Sequence, residues 1–262
     1  MSAISQGLLK TIREVQSFES FKGSALGGGT NLAIRYYHRK STDIDIFFPH
    51  IVGKAGFERI KDEVENFYGA RVFGFQFPCD IDDQYIFLRF FIICDGETIK
   101  VEVLQNMKML DNLEDIDGIK FVSELDIALF KMMSAANRAT QKDIYDLDLL
   151  SEKFPLIHLF DQLRRKRSLF SAEQHRTIFD LDGETSPLDQ PLTLLKFDEG
   201  DVQGRKSRPH HSQNRVDIIK DQKSWRVARS SWRKKVRTLF DQLNMIFPGP
   251  SSSSSSSSDL EE

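Results

Sequence analysis

Two aspartates one residue apart, Asp43 and Asp45, stand in the apolar run "STDIDIFF", shortly after three consecutive glycines, Gly27 to Gly29. On an extended strand, side chains at i and i+2 share a face, so the two carboxylates project together with Cα atoms about 6 to 7 Å apart. Ile44 and Ile46 then turn the other way, into a core. Carboxylates set in an apolar strand are costly unless something neutralises them. A divalent cation, Mg²⁺ or Mn²⁺, would do so, and Mg²⁺ is commonly held by one or two carboxylates together with substrate phosphates. Upstream, a glycine backbone can approach a ligand without obstruction by Cβ, and the amides opening a helix face an anion at the positive end of the helix dipole. Arg39 and Lys40 add positive charge nearby. A glycine run alone is most often a turn, and two spaced aspartates alone are common at strand ends. Together in one short stretch they describe a nucleoside triphosphate (NTP) site, with amides and hydroxyls for the phosphates and acids for the metal.

Elements must position these groups. Leu8, Leu9, Ile12 and Val15 recur at helical spacing and predict an amphipathic helix over residues 4–20. "SALGG" reads as a short buried strand, "TNLAIRYYH" as a helix with Thr30 near its N-cap, and "STDIDIFF" as the strand that carries the acids. Helical periodicity returns from Gly56 to Tyr68, and "QYIFLRFFII" and "ETIKVEVLQ" form a hairpin candidate about Asp95-Gly96. "VSELDIALFKMMSAANRA", opened by Ser123 and Asp126 as a capping box, and "KDIYDLDLLSEKF" are the strongest helices. The order α, β, α, β, α, β, β, then mostly α, implies an α+β fold: a small mixed sheet flanked by helices and followed by a mainly helical C-terminal region.

Length and composition set the limits. The 262 residues are 40% hydrophobic and 11% aromatic, enough for a real core. Cys79 and Cys94 lie in apolar surroundings without paired spacing, which argues against a disulfide framework or a zinc site and for ordinary buried thiols. No apolar run approaches the ~20 residues that cross a bilayer, so no membrane association is expected and the cytoplasm is the expected location. Between Arg205 and Arg237 twelve Lys/Arg face only Asp217 and Asp221, a local balance of +10 in a chain of net charge −3, which leaves −13 on the remainder. An acidic body with a basic limb suits an anionic partner such as RNA, although such runs are also solvated helix faces. Trp225 and Trp232, seven residues apart on that limb, are expected to pack against the body rather than stack on bases. His210 and His211 have no complementary ligand spacing.

The stretch "GGGTNLAIRYYHRKSTDIDIFF" resembles the signature of the DNA polymerase β-like nucleotidyltransferases, specifically the AbiEii-like branch of abortive-infection and toxin–antitoxin systems. The matching positions are Gly28, Gly29, Thr30 and Leu32, then Arg39, Ser41, Asp43, Ile44 and Asp45. A second signature of that branch is similar to "LDIALFKMMSAANRATQKDIYDLDLL", through Lys131, Arg138, Lys142, Asp143 and Asp146. Ser134, followed by Ala135, stands where the branch has alanine. The resemblance spans residues 18–153. It implies a third acid on a neighbouring strand, for which Glu102 is the leading candidate. Glu97 and Asp95 are rivals, and pairing with Lys100 is the plainer account of Glu102.

The resemblance also implies roles. Asp43, Asp45 and Glu102 would hold the metal or, for Glu102, accept a hydroxyl proton. Gly28, Gly29, Thr30 and Ser41 would hold the leaving pyrophosphate, and Lys131 would bind triphosphate oxygens with Asp143 orienting it or touching the nucleotide. The implied reaction moves a nucleoside monophosphate from NTP to an RNA acceptor, such as a tRNA end, or to a protein, and the implied partner is an antitoxin. For Lys131 and Asp143 the plain alternative is an interhelical or surface ion pair. A small-molecule nucleotidyltransferase and a non-catalytic nucleic-acid-binding module are the competing functions. The expected organisation is a nucleotidyltransferase core over 1–120, a helical region completing the site over 121–182, a linker over 183–215, a basic helical segment over 216–247 and a disordered Ser-rich tail over 248–262.

Overall fold

The computed structural model describes residues 2–79, 82–181, 183–198 and 215–248. The opening helix α1 (Gln6–Ser17) buries Leu8, Ile12 and Val15 along one stripe, and the Ser5 hydroxyl caps it by accepting from the Leu8 N–H. There follow β1 (Ala25–Leu26), α2 (Gly28–Tyr36), β2 (Asp43–Phe47), α3 (Gly53–Tyr68), β3 (Val72–Cys79), β4 (Phe87–Cys94), β5 (Glu97–Leu104), β6 (Glu114–Ile116) and β7 (Ile119–Phe121). Helices α4 (Glu124–Arg138), α5 (Gln141–Lys153), α6 (Leu156–Leu169) and α7 (Trp225–Gln242) follow among the described residues. The fold is α+β, as the element order predicts.

The seven strands form one mixed sheet in the order β3-β4-β5-β2-β1-β7-β6. Pairs β2–β5 and β1–β7 are parallel and the others antiparallel. Strands β4 and β5 are the predicted hairpin: Asp95 and Gly96 take φ of 52° and 81°, the left-handed pair that a two-residue hairpin turn matching strand twist requires. Alternation then sorts side chains by face. Ile44, Ile46, Leu88, Phe90, Val101 and Val103 turn to one side and pack with α1 and α3, whereas Phe47 joins a second core built by α4, α5, α6 and α7.

Four features differ from the sequence reading. Strand β3 is not legible in the sequence, because Gly74 and Pro78 punctuate its run and a register shift between Phe73 and Gln76 breaks simple alternation. Strands β6 and β7, three residues each, are too short to show a period. Helix α2 begins at Gly28 with Gly27 as its cap, two residues before the predicted start at Thr30, which lies inside the first turn. Residues 191–198 form a 3₁₀ segment in which Leu194 and Leu195 are buried, so this part of the expected linker is packed chain. Helix α7 shares the second core: Trp232 is fully buried and its indole Nε1–H donates to the Leu194 carbonyl at 2.9 Å, while Trp225 packs edge-on against Phe197. The packing expected of both tryptophans is what is found. Cys94 is buried as expected, whereas Cys79 is only half-buried. Residues 205–214 of the basic limb, His210 and His211, and residues 249–262 of the tail lie outside the described residues.

Candidate active site

Strand β2 carries Asp43 and Asp45 at the centre of the sheet, and parallel pairing with β5 sets Asp43 opposite Lys100 and Asp45 opposite Glu102. Across β4 the same register continues to Phe91 and Arg89, and across β3 to Phe73 and Gln76. The result is a set of lateral bands on one face. One is apolar (Cys79, Phe87, Leu104, Phe47), the next carries Arg89, Glu102 and Asp45, and the third carries Phe73, Phe91, Lys100 and Asp43. The face opens into a cavity of about 530 Å³, closed on its far side by α4 and the start of α5 through Phe130, Lys131, Arg138 and Asp143. Its apolar wall and its cluster of convergent charges are the ordinary composition of a ligand pocket.

The glycine turn packs directly on the acids. Gly28 sits at φ +59°, and a Cβ there would lie 1.7 Å from Asp45 Oδ2; a Cβ on Gly29 would lie 2.0 Å from an Arg39 nitrogen. Both positions require glycine for close approach, and the first also for its left-handed backbone. The Gly27 N–H donates to the Asp45 carbonyl at 2.7 Å, which fixes the turn to β2. The amides of the first turn of α2 have no intrahelical acceptor and face the cavity that Gly28 and Gly29 line. Ser41 lines it too. Thr30 does not: it is buried, its hydroxyl donating to the Asp43 carbonyl and lying 2.8 Å from Ser41 Oγ. The phosphate-binding role expected of Thr30 is therefore corrected to a positioning one, because its place inside the helix turns its side chain toward β2.

Charge is balanced in two groups. In the first, Lys100 Nζ lies 2.9 Å from Glu102 and 3.3 Å from Asp43, and Arg89 holds the other Glu102 oxygen with Nε at 2.8 Å. Glu102 thus faces the site and also makes the pairing with Lys100 that was its plainer account. Despite burial, which acts in the opposite sense, Lys100 and Arg89 keep its carboxyl below the ordinary glutamate range. Asp45 is left to hold the proton: burial first, and then the charge of Glu102, push its pKa up to about 6. Among the described residues no three His, Cys, Asp or Glu side chains converge as a ready metal cage. Two strand carboxylates beside an anion-sized cavity nevertheless suit Mg²⁺, which needs only one or two from the protein.

The second group joins the segment between α2 and β2 to α4 and α5. Arg39 grips Asp146 through Nε at 2.6 Å and Nη2 at 2.7 Å, His38 Nε2 lies 2.8 Å from the same carboxylate, and Lys131 Nζ reaches it at 2.8 Å. Lys131 also meets Asp143 at 2.9 Å, as does Arg138. Burial raises the Asp143 carboxyl, but Arg138 and Lys131 outweigh it and hold the group down at about 2. Arg39 and Lys131 likewise hold Asp146 well below the carboxylate range against burial. Lys131 and Asp143 are therefore an interhelical pair that also lines the cavity. Lys142 is a position of the second signature. It lines the cavity beside Asp143 and forms no ion pair among the described residues, and burial followed by the charge of Arg39 lowers its pKa. Its place in the first turn of α5, next to a cavity-lining aspartate, was the signal available in the sequence.

The family model described as nucleotidyl transferase AbiEii toxin, type IV TA system, matches residues 7–244 of the chain. No curated protein matches it. The match spans the glycine turn, the acids of β2, the charged helices α4 and α5 and the whole of α7, so the chain belongs to the AbiEii nucleotidyltransferase toxin family of type IV toxin–antitoxin systems.

Proposed function

We propose that this nucleotidyltransferase moves a nucleoside monophosphate from an NTP to a hydroxyl of an RNA or protein acceptor, with a divalent cation held by Asp43 and Asp45. The observation that carries this reading is the Asp45 carboxylate at the cavity floor, pressed against Gly28 and carrying a raised pKa. The acceptor oxygen forms a bond to the α-phosphorus, the bond from that phosphorus to the oxygen bridging the β-phosphate breaks, and pyrophosphate leaves with the electron pair. When bound, the cation would neutralise phosphate charge and favour ionisation of the attacking hydroxyl. The protein's own groups do the rest. The Gly28 and Gly29 amides and Ser41 bind the departing phosphates. Lys142 and the partly exposed Arg138 add donors for phosphate oxygens. Asp143 and Asp146 fix the direction of Lys131 toward the same cavity. Glu102 holds Lys100 between the acids, and the acceptor's proton passes to water at the cavity mouth. An antitoxin partner and an NTP substrate follow from family membership.

The test is incubation of purified protein with Mg²⁺ or Mn²⁺, each α-³²P-labelled NTP in turn, and total RNA or cell lysate, with Asp43→Ala alongside. Label on RNA or protein from the wild type alone is the expected result. Label from neither protein under every condition, or equally from both, would overturn the assignment.

A further inference from the structure

The band of side chains that begins at Asp43 does not end at the cavity. Lys100 pairs in register with Phe91 and Phe91 with Phe73, so a straight lateral row runs from the acid to the sheet edge. At the ~4.8 Å spacing of neighbouring strands, Phe91 lies about 10 Å and Phe73 about 14 Å from Asp43. The two rings stack with centroids 5.6 Å apart and planes 21° from parallel. Phe73 is 45% exposed and the adjoining Ile93 is 41% exposed, on the face opposite the one that packs with α1 and α3. The platform is built rather than incidental. Gly74 takes φ +69°, and the register shift there turns Phe75 inward onto Phe90 while Phe73 stays outward; a Cβ at Gly74 would crowd the Phe91 ring at 3.0 Å. An exposed aromatic ring such as Phe73 on the edge strand β3 is a standing aggregation risk unless something uses it.

We infer that the Phe73–Phe91 platform docks the end of a single-stranded nucleic acid acceptor, stacking its bases so that the terminal hydroxyl reaches Asp43 along the row through Lys100. The inference rests on the transfer reading above and narrows its acceptor from RNA or protein to nucleic acid. A planar aromatic surface in line with a cation suits unpaired bases and their backbone, since every base offers a π-face and every linkage a negative charge. The in-register row from Phe91 to Lys100 and Asp43, which line the cavity, places this occupant, rather than a distant partner, on the platform. Lys40 and Lys142 at the cavity rim extend the positive border.

Direct binding separates failure of this inference from failure of the transfer reading, because it needs no turnover. The affinity of the full chain for a short fluorescein-labelled single-stranded RNA is measured by anisotropy, without NTP. Phe73→Ala, at an exposed position, is expected to bind about tenfold more weakly. Phe73→Trp should restore binding, and Phe73→Leu, apolar but unable to stack, should not. In turnover, Phe73→Ala should raise KM for the RNA acceptor and leave KM for NTP unchanged. Equal RNA affinity in wild type and Phe73→Ala would overturn the inference, as would transfer to a protein acceptor alone. Loss of folding in Phe73→Ala, read by circular dichroism, would overturn it as well, by making the ring a structural element.

Discussion

Asp45 sits where an ionised carboxylate is costly, and the cost is tied to its position at the cavity floor. Its folded-state pKa of about 6 lies above the ordinary aspartate value of 3.8, so the folded chain binds the proton more tightly than the unfolded one. Stability is then fullest below pH 4 as far as this group is concerned and falls as pH rises toward 6. At ~1.4 kcal/mol per pH unit the ionised form costs about 3 kcal/mol. Asp45→Asn should therefore abolish transfer while raising stability by up to about 3 kcal/mol at pH 7, with the gain vanishing near pH 4. Urea denaturation at the two pH values measures it, and a destabilised Asn variant at pH 7 would contradict the account. Gly28 acts at the same scale. Gly28→Ala drives a methyl into the Asp45 carboxylate at a left-handed backbone, so it should lose transfer and more than ~1 kcal/mol of stability, read in the same two assays.

At the scale of elements, the site is held by the ion-pair group that locks α5 to α4 and to the segment between α2 and β2. Asp146 is fully buried and neutralises Arg39 and Lys131 together. Asp146→Asn leaves two buried cations short of a partner and should cost about 3–5 kcal/mol, measured by denaturation at pH 7. Depressed carboxyls act opposite to Asp45. The stability that Asp143 and Asp146 contribute is present above pH 4 and is lost as pH falls toward about 2, where Asp143 titrates. Lys142, in the first turn of α5, is not tied into that group, so Lys142→Gln should leave stability within about 0.5 kcal/mol of wild type. Its charge-assisted contact with phosphate is worth ~1.5–3 kcal/mol, so KM for NTP should rise about tenfold or more in steady-state kinetics.

Across the whole molecule, the sheet separates two cores. One lies under α1 and α3, and the other is built by α4 to α7 with the 191–198 segment. Trp232 is the largest fully buried side chain and joins α7 to that segment through its indole hydrogen bond. Trp232→Ala should cost about 3–5 kcal/mol in denaturation experiments. Because α5 contacts α7 as well as α4, the same variant should weaken NTP binding at a distance, which isothermal calorimetry can read.

The sequence by itself determined what depends on near neighbours. The shared face of Asp43 and Asp45 follows from the two-residue period of a strand, and the β4–β5 turn follows from Asp95-Gly96. The amphipathic helices follow from apolar spacing, and the glycine turn and acids of β2 carried the family resemblance that the match over residues 7–244 establishes. Only the tertiary structure decided what depends on distant partners. Parallel pairing of β2 with β5 places Glu102 beside Asp45 but gives it to Lys100 and Arg89. Thr30 turns inward because its helix starts two residues earlier than its hydroxyl suggested. Asp146 appears in sequence as one acid among several in α5, and it is the approach of the segment between α2 and β2 that makes it the buried anchor of Arg39 and Lys131. The row from Asp43 to Phe73 spans four strands, with β3 bent by a bulge. Register across strands arises from long-range pairing, and a local period cannot encode it.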